Sequence, residues 1–195
     1  MPQMRRIFEY ILLAFFLFEL SFSLCAFAQT YDGKVEIADL LVTNTQEQVL
    51  VYFKLKNAFK PEIKEAILAG ITTTIIFTIE LYRERSLWSD KKISSLKIKH
   101  SLKYDNIKKV LYLSYSETDK DPEQFKELMK AEKAISDISG IPVAFLKNLV
   151  RDKHYYVRVK AQLDKVHLPL ELKNTLLFSS LWHFETKWVR QDFVY

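Results

Sequence analysis

Residues 155–172 read YYVRVKAQLDKVHLPLEL, and their first nine positions alternate between two kinds of side chain. Tyr155, Val157, Val159, Ala161 and Leu163 occupy one set of positions, and Tyr156, Arg158, Lys160 and Gln162 the other. Successive side chains of a strand point to opposite faces, so this period of two predicts a strand over about His154–Leu163. The first set is expected to face a core, with Arg158 and Lys160 outward. Pro169 then breaks the pattern, and LELKNTLLF (residues 170–178) reads as a short helix ahead of an aromatic tail.

The same period recurs upstream. In TTTIIFTIELYRER (residues 72–85) Ile75, Phe77, Ile79 and Leu81 alternate with Ile76, Thr78, Glu80 and Tyr82, in a composition rich in β-branched and aromatic residues. VEIADLLVT (residues 35–43) and VLVYFKLK (residues 49–56) read as strands joined by a polar turn. SLKIKHSLKYD (residues 95–105) and KVLYLSYSE (residues 109–117) read as a hairpin with one wet, lysine-bearing face. EIKEAILAG (residues 62–70) is a short helix that Gly70 can end. A second helix is expected over Pro122–Ser139, with Phe125, Leu128, Met129, Ile135 and Ile138 on one stripe, Asp121 as its cap, and Gly140 and Pro142 as its stop. VAFLKNLV (residues 143–150) fits either a short helix or irregular structure.

Five to seven extended segments in hairpin-like succession predict a mainly β fold. The expected architecture is an antiparallel β-sandwich, immunoglobulin-like in general architecture, with two or three helical insertions. A doubly wound parallel fold is disfavoured because strands and helices do not alternate regularly.

The chain begins with the three zones of an export signal. Arg5 and Arg6 supply the charge, Ile7–Phe22 is apolar apart from Glu9, Glu19 and Ser21, and AFA at residues 26–28 offers a cleavage site after Ala28. Residues 1–28 are therefore expected to be a signal peptide and residues 29–195 a single β-rich domain in the periplasm or another extracytoplasmic space. The alternative is a retained N-terminal anchor, which leaves residues 29 onward on the same side of the membrane. Cys25 also raises a lipid-modified cysteine, but the bulky Leu24 before it disfavours that. Since Cys25 is the sole cysteine, the remaining domain has neither thiol nor disulfide and must be held by packing.

The chemistry that the residues exclude is as informative. With three glycines in the whole chain there is no phosphate-cradling loop, and there is no G-x-S-x-G elbow and no thiol nucleophile outside residues 1–28. His100, His154, His167 and His183 lack zinc-ligand spacing, and His183 with Glu185 is a pair where a site needs three or four ligands. The acidic run ETDKD (residues 117–121) lacks the glycine of a calcium loop and reads as a turn and helix cap. No catalytic residue, metal or cofactor is expected.

What remains is basic. The net charge is +5. Lys97, Lys99 and Lys103 share one strand face, Arg158 and Lys160 another, and Arg83 and Arg85 sit near a strand end, which makes a candidate contact surface for an anionic partner. The plainer reading is that long basic side chains cover a solvent face and discourage edge pairing.

YYVRVKAQLDKVHLPLEL, preceded by AILAGITTTIIFTIELYRERSLWSDKKI (residues 66–93) and followed by SSLWHFETKWV (residues 179–189), resembles a family of exported bacterial proteins known as a domain of unknown function, DUF4390. The match runs through a Gly70–Arg83 strand block, a Tyr155–Pro169 block of the form Y-x-V-R-V-x-A-x-L-D…L-P, and a closing motif with Trp182 and Trp188. HFETKW departs from the serine-glutamate-tryptophan expected there. The resemblance implies location and a coherent fold, and it supplies no reaction, cofactor or catalytic residue.

Trp182 and Trp188 are candidate structural anchors that fasten the terminus to the sheet. The functional expectation is an exported, non-catalytic accessory or binding protein that acts on an envelope component or an envelope signalling partner, with an envelope protein or anionic envelope component as what it binds. Transient contact with a membrane surface is an added expectation, and nucleic acid is not an expected partner. The alternatives are a lipid or glycolipid carrier, with its apolar ligand between the sheet and the helix from Pro122, and a hydrolase using an unrecognised carboxylate pair.

Overall fold

A computed structural model describes residues 33–164 and 183–195, all of which belong to one compact unit. The apolar start, Cys25, His167, Pro169, the 170–178 helix and Trp182 lie outside the described residues.

Strands form where the period of two predicts them. β1 (Glu36–Asn44) and β2 (Gln48–Lys56) make a hairpin closed by a polar turn, in which Thr45 Oγ1 accepts the backbone N–H groups of Glu47 and Gln48. β3 (Thr73–Arg83) is flanked by β4 (Lys91–Asp105) and β8 (His154–Leu163). β5 (Val110–Tyr115) and the short β6 (Glu123–Phe125) extend the sheet on the β4 side, and β9 (Val189–Val194) extends it on the β8 side. The result is a six-stranded antiparallel sheet ordered β6-β5-β4-β3-β8-β9 and a three-stranded antiparallel sheet ordered β1-β2-β7, with β7 at Asp137–Phe145. Two α-helices are present among the described residues: α1 (Pro61–Leu68) and α2 (Leu128–Ser136). The fold is mainly β, as expected from the periodicity.

The two sheets share one core. Val49, Val51, Phe53 and Leu55 of β2 are all buried, as are Ile75, Phe77, Ile79 and Leu81 of β3 and Tyr155, Val157, Val159, Ala161 and Leu163 of β8. Phe53 and Phe77 meet edge to face across the sheets at 5.5 Å between ring centroids. Each such burial contributes about 1.5–3 kcal/mol relative to exposure, which is how a described chain without cysteine is held.

α1 ends as its sequence dictates. Gly70 adopts φ +88°, Gly70 N–H donates to Ile67 O and Ile71 N–H to Ala66 O, which is the paired closure of a Schellman cap. An added Cβ at Gly70 would also lie 2.8 Å from Asn106 Nδ2. Gly70→Ala is therefore expected to lower unfolding free energy by about 1–2 kcal/mol, read as a shifted denaturant midpoint with unchanged slope.

The region after Pro122 departs from expectation. In place of one helix over Pro122–Ser139 the chain forms β6, then α2, then β7. Phe125 belongs to β6, Met129 is exposed, and only Ala131 and Ile135 of α2 are buried. α2 begins at Leu128 after Glu127, with no side-chain cap, so Asp121 does not cap it. Gly140 and Pro142, expected to stop a helix, lie within β7. Pairing with β2 overrides the local helical pattern, because that pairing buries Ile138, Ile141 and Val143 in the shared core. Gly140 takes φ +70° where the β2–β7 register shifts, and Pro142 is tolerated because β7 is an edge of its sheet. The VAFLKNLV segment completes β7 and continues into a 3-10 turn at Leu146–Asn148.

α2 packs against the large sheet through buried side chains. His100, Ala131, Ile135 and Leu102 are each at most 2% exposed there. His100 sits edge-on to Phe77 and Tyr115, with Nδ1 3.3 Å from Ile135 O and Nε2 2.7 Å from Glu117 Oε1. Glu117, from the acidic run, thus reaches back to a buried histidine instead of serving a helix end.

Candidate functional site

The register of β3 with its neighbours decides which basic residues meet. Thr78 is paired with Lys97 on one side and Lys160 on the other, Ile76 with Lys99, and Glu80 with Ser95 and Arg158. Lys97, Lys99, Arg158 and Lys160 therefore share the outer face of the six-stranded sheet, as two rows either side of β3 and roughly 10 Å apart. Ile76, Thr78 and Glu80 are buried at the centre of this outer face, flanked by the long basic side chains. Lys103 is on the same face but farther along β4, opposite Tyr112 of β5. There it helps line an open cavity of about 440 Å³ with Ser101, Asp105, Lys108, Tyr112 and Ser114. Arg83 takes the other parity of β3, at the strand end and half-buried, and Arg85 lies beyond the strand, exposed.

Glu80 organises the end of the face near Arg158. Its Oε1 accepts from Lys92 Nζ at 2.6 Å, and its Oε2 accepts from Arg158 Nε at 2.8 Å and from Tyr82 O–H at 3.1 Å. Burial pushes the Glu80 carboxyl up, but the hydrogen bonds from Lys92, Arg158 and Tyr82 outweigh that and hold it at about 2. Burial works against the charge on Arg158, and the Glu80 carboxylate more than offsets it, so the guanidinium stays charged with its affinity for the proton raised.

Aromatic rings stack on this ionic centre. The Arg158 guanidinium lies 4.8 Å from the Tyr82 ring centroid and 4.4 Å from that of Trp188, and Lys160 Nζ lies 5.2 Å from Trp188. Lys160 also pairs with Glu185, whose carboxyl is held below the ordinary range by that hydrogen bond. Tyr82 stacks on Tyr156 at 5.1 Å and 10°, and Arg190, paired with Glu84 and Asp192, lies 3.6 Å over Tyr156. Burial and the bond it donates to Asp90 push the Tyr156 phenol up. The array thus runs from Lys92 through Tyr82, Arg158 and Trp188 to Lys160. Such stacked cations contribute about 0.5–2 kcal/mol each and fix the direction in which the charge is presented.

Trp188 is half-exposed and packs on Arg158 and Lys160, on the outer face rather than in the core. Further contacts fasten the C-terminal segment. β9 pairs with β8, Phe193 stacks on Tyr155 at 5.6 Å, and Thr186 exchanges backbone and side-chain hydrogen bonds with Ala161.

The sequence reading found Arg158, Lys160 and Trp188 but not their partners Glu80, Tyr82, Lys92, Tyr156, Glu185 and Arg190. One signal was available: Glu80 is an acid within an otherwise apolar, β-branched central strand, and such a charge must be paired. Among the described residues no group of three or more His, Cys, Asp and Glu side chains converges as a metal site would. No helix among them is long and apolar enough to cross a membrane.

Comparison with known proteins found no match among curated proteins or solved structures. A family model described as Domain of unknown function (DUF4390) matches residues 32–192, which span both sheets and every residue of the Glu80 array, and the chain belongs to that family.

Proposed function

We propose that this domain is an exported, non-catalytic binding module whose contact surface is the outer face of the six-stranded sheet. The observation that carries the binding part is the array itself: Arg158 is clamped by Glu80 and sandwiched between Tyr82 and Trp188, with Lys160, Lys97 and Lys99 beside it. Cations held in place by aromatic faces and a buried carboxylate are pre-organised, so little side-chain entropy is lost when an anionic group docks. An anionic envelope polymer or an acidic surface of an envelope protein has the matching chemistry. A carboxyl held at about 2 stays ionised near neutral pH and is poorly placed to exchange protons, which favours recognition over acid–base catalysis at this centre. Export is supported by the charged, apolar and small-residue zones of residues 1–28.

Two measurements test this. A reporter enzyme active only outside the cytoplasm is expected to be active when fused after residue 32, and an inactive fusion overturns the export half. For the contact surface, a photoreactive side chain at Lys97 in the full chain is expected to capture one reproducible envelope component. The adduct should disappear with Lys99→Glu and Lys160→Glu, two substitutions that spare the Glu80–Arg158 pair. Equal capture from Gln46, in the β1–β2 turn, or capture that survives both charge reversals, overturns it.

A further inference from the structure

The β3–β4 connection reads ERSLWSD (residues 84–90), and its tip exposes Leu87 and Trp88 at 89% and 77%. The loop is tied down at its base. Glu84 N–H donates to His154 O at 3.0 Å and the Glu84 carboxylate pairs with Arg190. Asp90 accepts the Arg85 N–H at 3.3 Å and the Tyr156 O–H at 3.0 Å. Two large apolar side chains are thus held out in water by a connection whose own polar groups are anchored to the sheet.

Their surroundings carry a positive balance of charge. The β3–β8 and β8–β9 registers bring Lys153 and the 62% exposed Val194 to the same end of the sheet as this loop, where Arg85 of the loop and Lys91, the first residue of β4, also lie. The carboxylates of Glu84 and Asp90 are engaged as described, and Asp152 leaves the balance positive. Tryptophan settles at the headgroup level of bilayers, and basic side chains close to the surface are drawn to anionic headgroups. A convex apolar tip inside a cationic collar fits a planar anionic surface better than it fits the groove-and-peptide geometry of a protein partner.

From this juxtaposition we infer that this end of the domain docks on an anionic bilayer surface, with Leu87 and Trp88 entering the interface and Arg85, Lys91 and Lys153 meeting the headgroup phosphates. This contact is separate from the Glu80 array and stands or falls independently of it.

The test uses the full chain with Cys25→Ser and an environment-sensitive fluorophore on Ser89→Cys, beside the intact tip. It is mixed with phosphatidylcholine vesicles with or without phosphatidylglycerol. A blue shift is expected on the anionic vesicles, with partition at least about tenfold stronger than on neutral ones and about fivefold weaker for each collar cation removed. Leu87→Ser with Trp88→Ser should abolish the shift, and a fluorophore on Ile107→Cys, at the far end of β4, should stay silent. Because the readout is local, vesicle binding through the apolar residues 7–22 does not mimic it. No shift at residue 89, an equal shift at residue 107, or a shift that survives the tip substitutions overturns the inference. A shift that grows with protein concentration in the absence of vesicles also overturns it and assigns the tip to a second copy of the chain.

Discussion

Glu80→Gln is expected to lower the unfolding free energy by about 2–3 kcal/mol at neutral pH. The carboxylate is buried and shared by four donor side chains, Lys92, Arg158, Tyr82 and Ser95, so an amide in its place keeps one acceptor, turns a donor toward another donor, and leaves Arg158 and Lys92 without a counter-charge. The loss stays below that of a fully buried pair because the Arg158 and Lys92 side chains are 34% and 47% exposed and recover part of their hydration. The pH dependence follows with a definite sign. A carboxyl with an ordinary value of 4.5 held at about 2 in the folded state stabilises the fold above the higher value, and that stability is lost as pH falls from about 4.5 through about 2. Denaturant titrations across this window should show the wild type losing about 2–3 kcal/mol more than Glu80→Gln, so that the two converge in acid. A constant gap down to pH 2 would mean that the substitution acts by distorting β3 and not through charge.

Phe77→Ala is expected to cost about 3–5 kcal/mol. Phe77 is fully buried on the central strand, contacts Phe53 of the opposite sheet, and lies 5.3 Å and edge-on to His100. Removing the ring opens a void at the one place where both sheets and the buried His100 converge, and pairing on both sides prevents β3 from collapsing into it. Chemical denaturation gives the magnitude. A cost below about 1.5 kcal/mol would show that the core repacks freely, against the close packing described here. Phe77→Leu, which keeps most of the volume, should lose less than half as much.

Legibility in the sequence tracked how local each signal was. β2, β3, β4 and β8 were readable because the core-facing positions of each carry apolar residues at every second place. The end of α1 was readable because a Schellman cap is a local event at Gly70. Pro122–Ser139 misled because its apolar residues also suit a helical stripe, while what places Ile138, Ile141 and Val143 is a β2 strand more than eighty residues away. The candidate site shows the same division. Arg158, Lys160, Lys97 and Lys99 announced themselves as basic residues on outward positions. That Lys97 and Lys160 flank one threonine, and that Arg158 faces Glu80, depends on β3 lying between β4 and β8, which no spacing encodes.

By itself the sequence determined a mainly β, antiparallel domain held by packing, and the parity of its strands, because side-chain alternation is a property of the extended backbone. Only the tertiary structure decided strand order and register, and with them the identity of every partner in the Glu80 array. Pairing across a sheet joins residues as far apart in sequence as Gln48 and Phe145, and it brings Arg158 to Glu80, 78 positions away; the free energy that selects one register over another comes from burying the apolar set of each strand in the shared core.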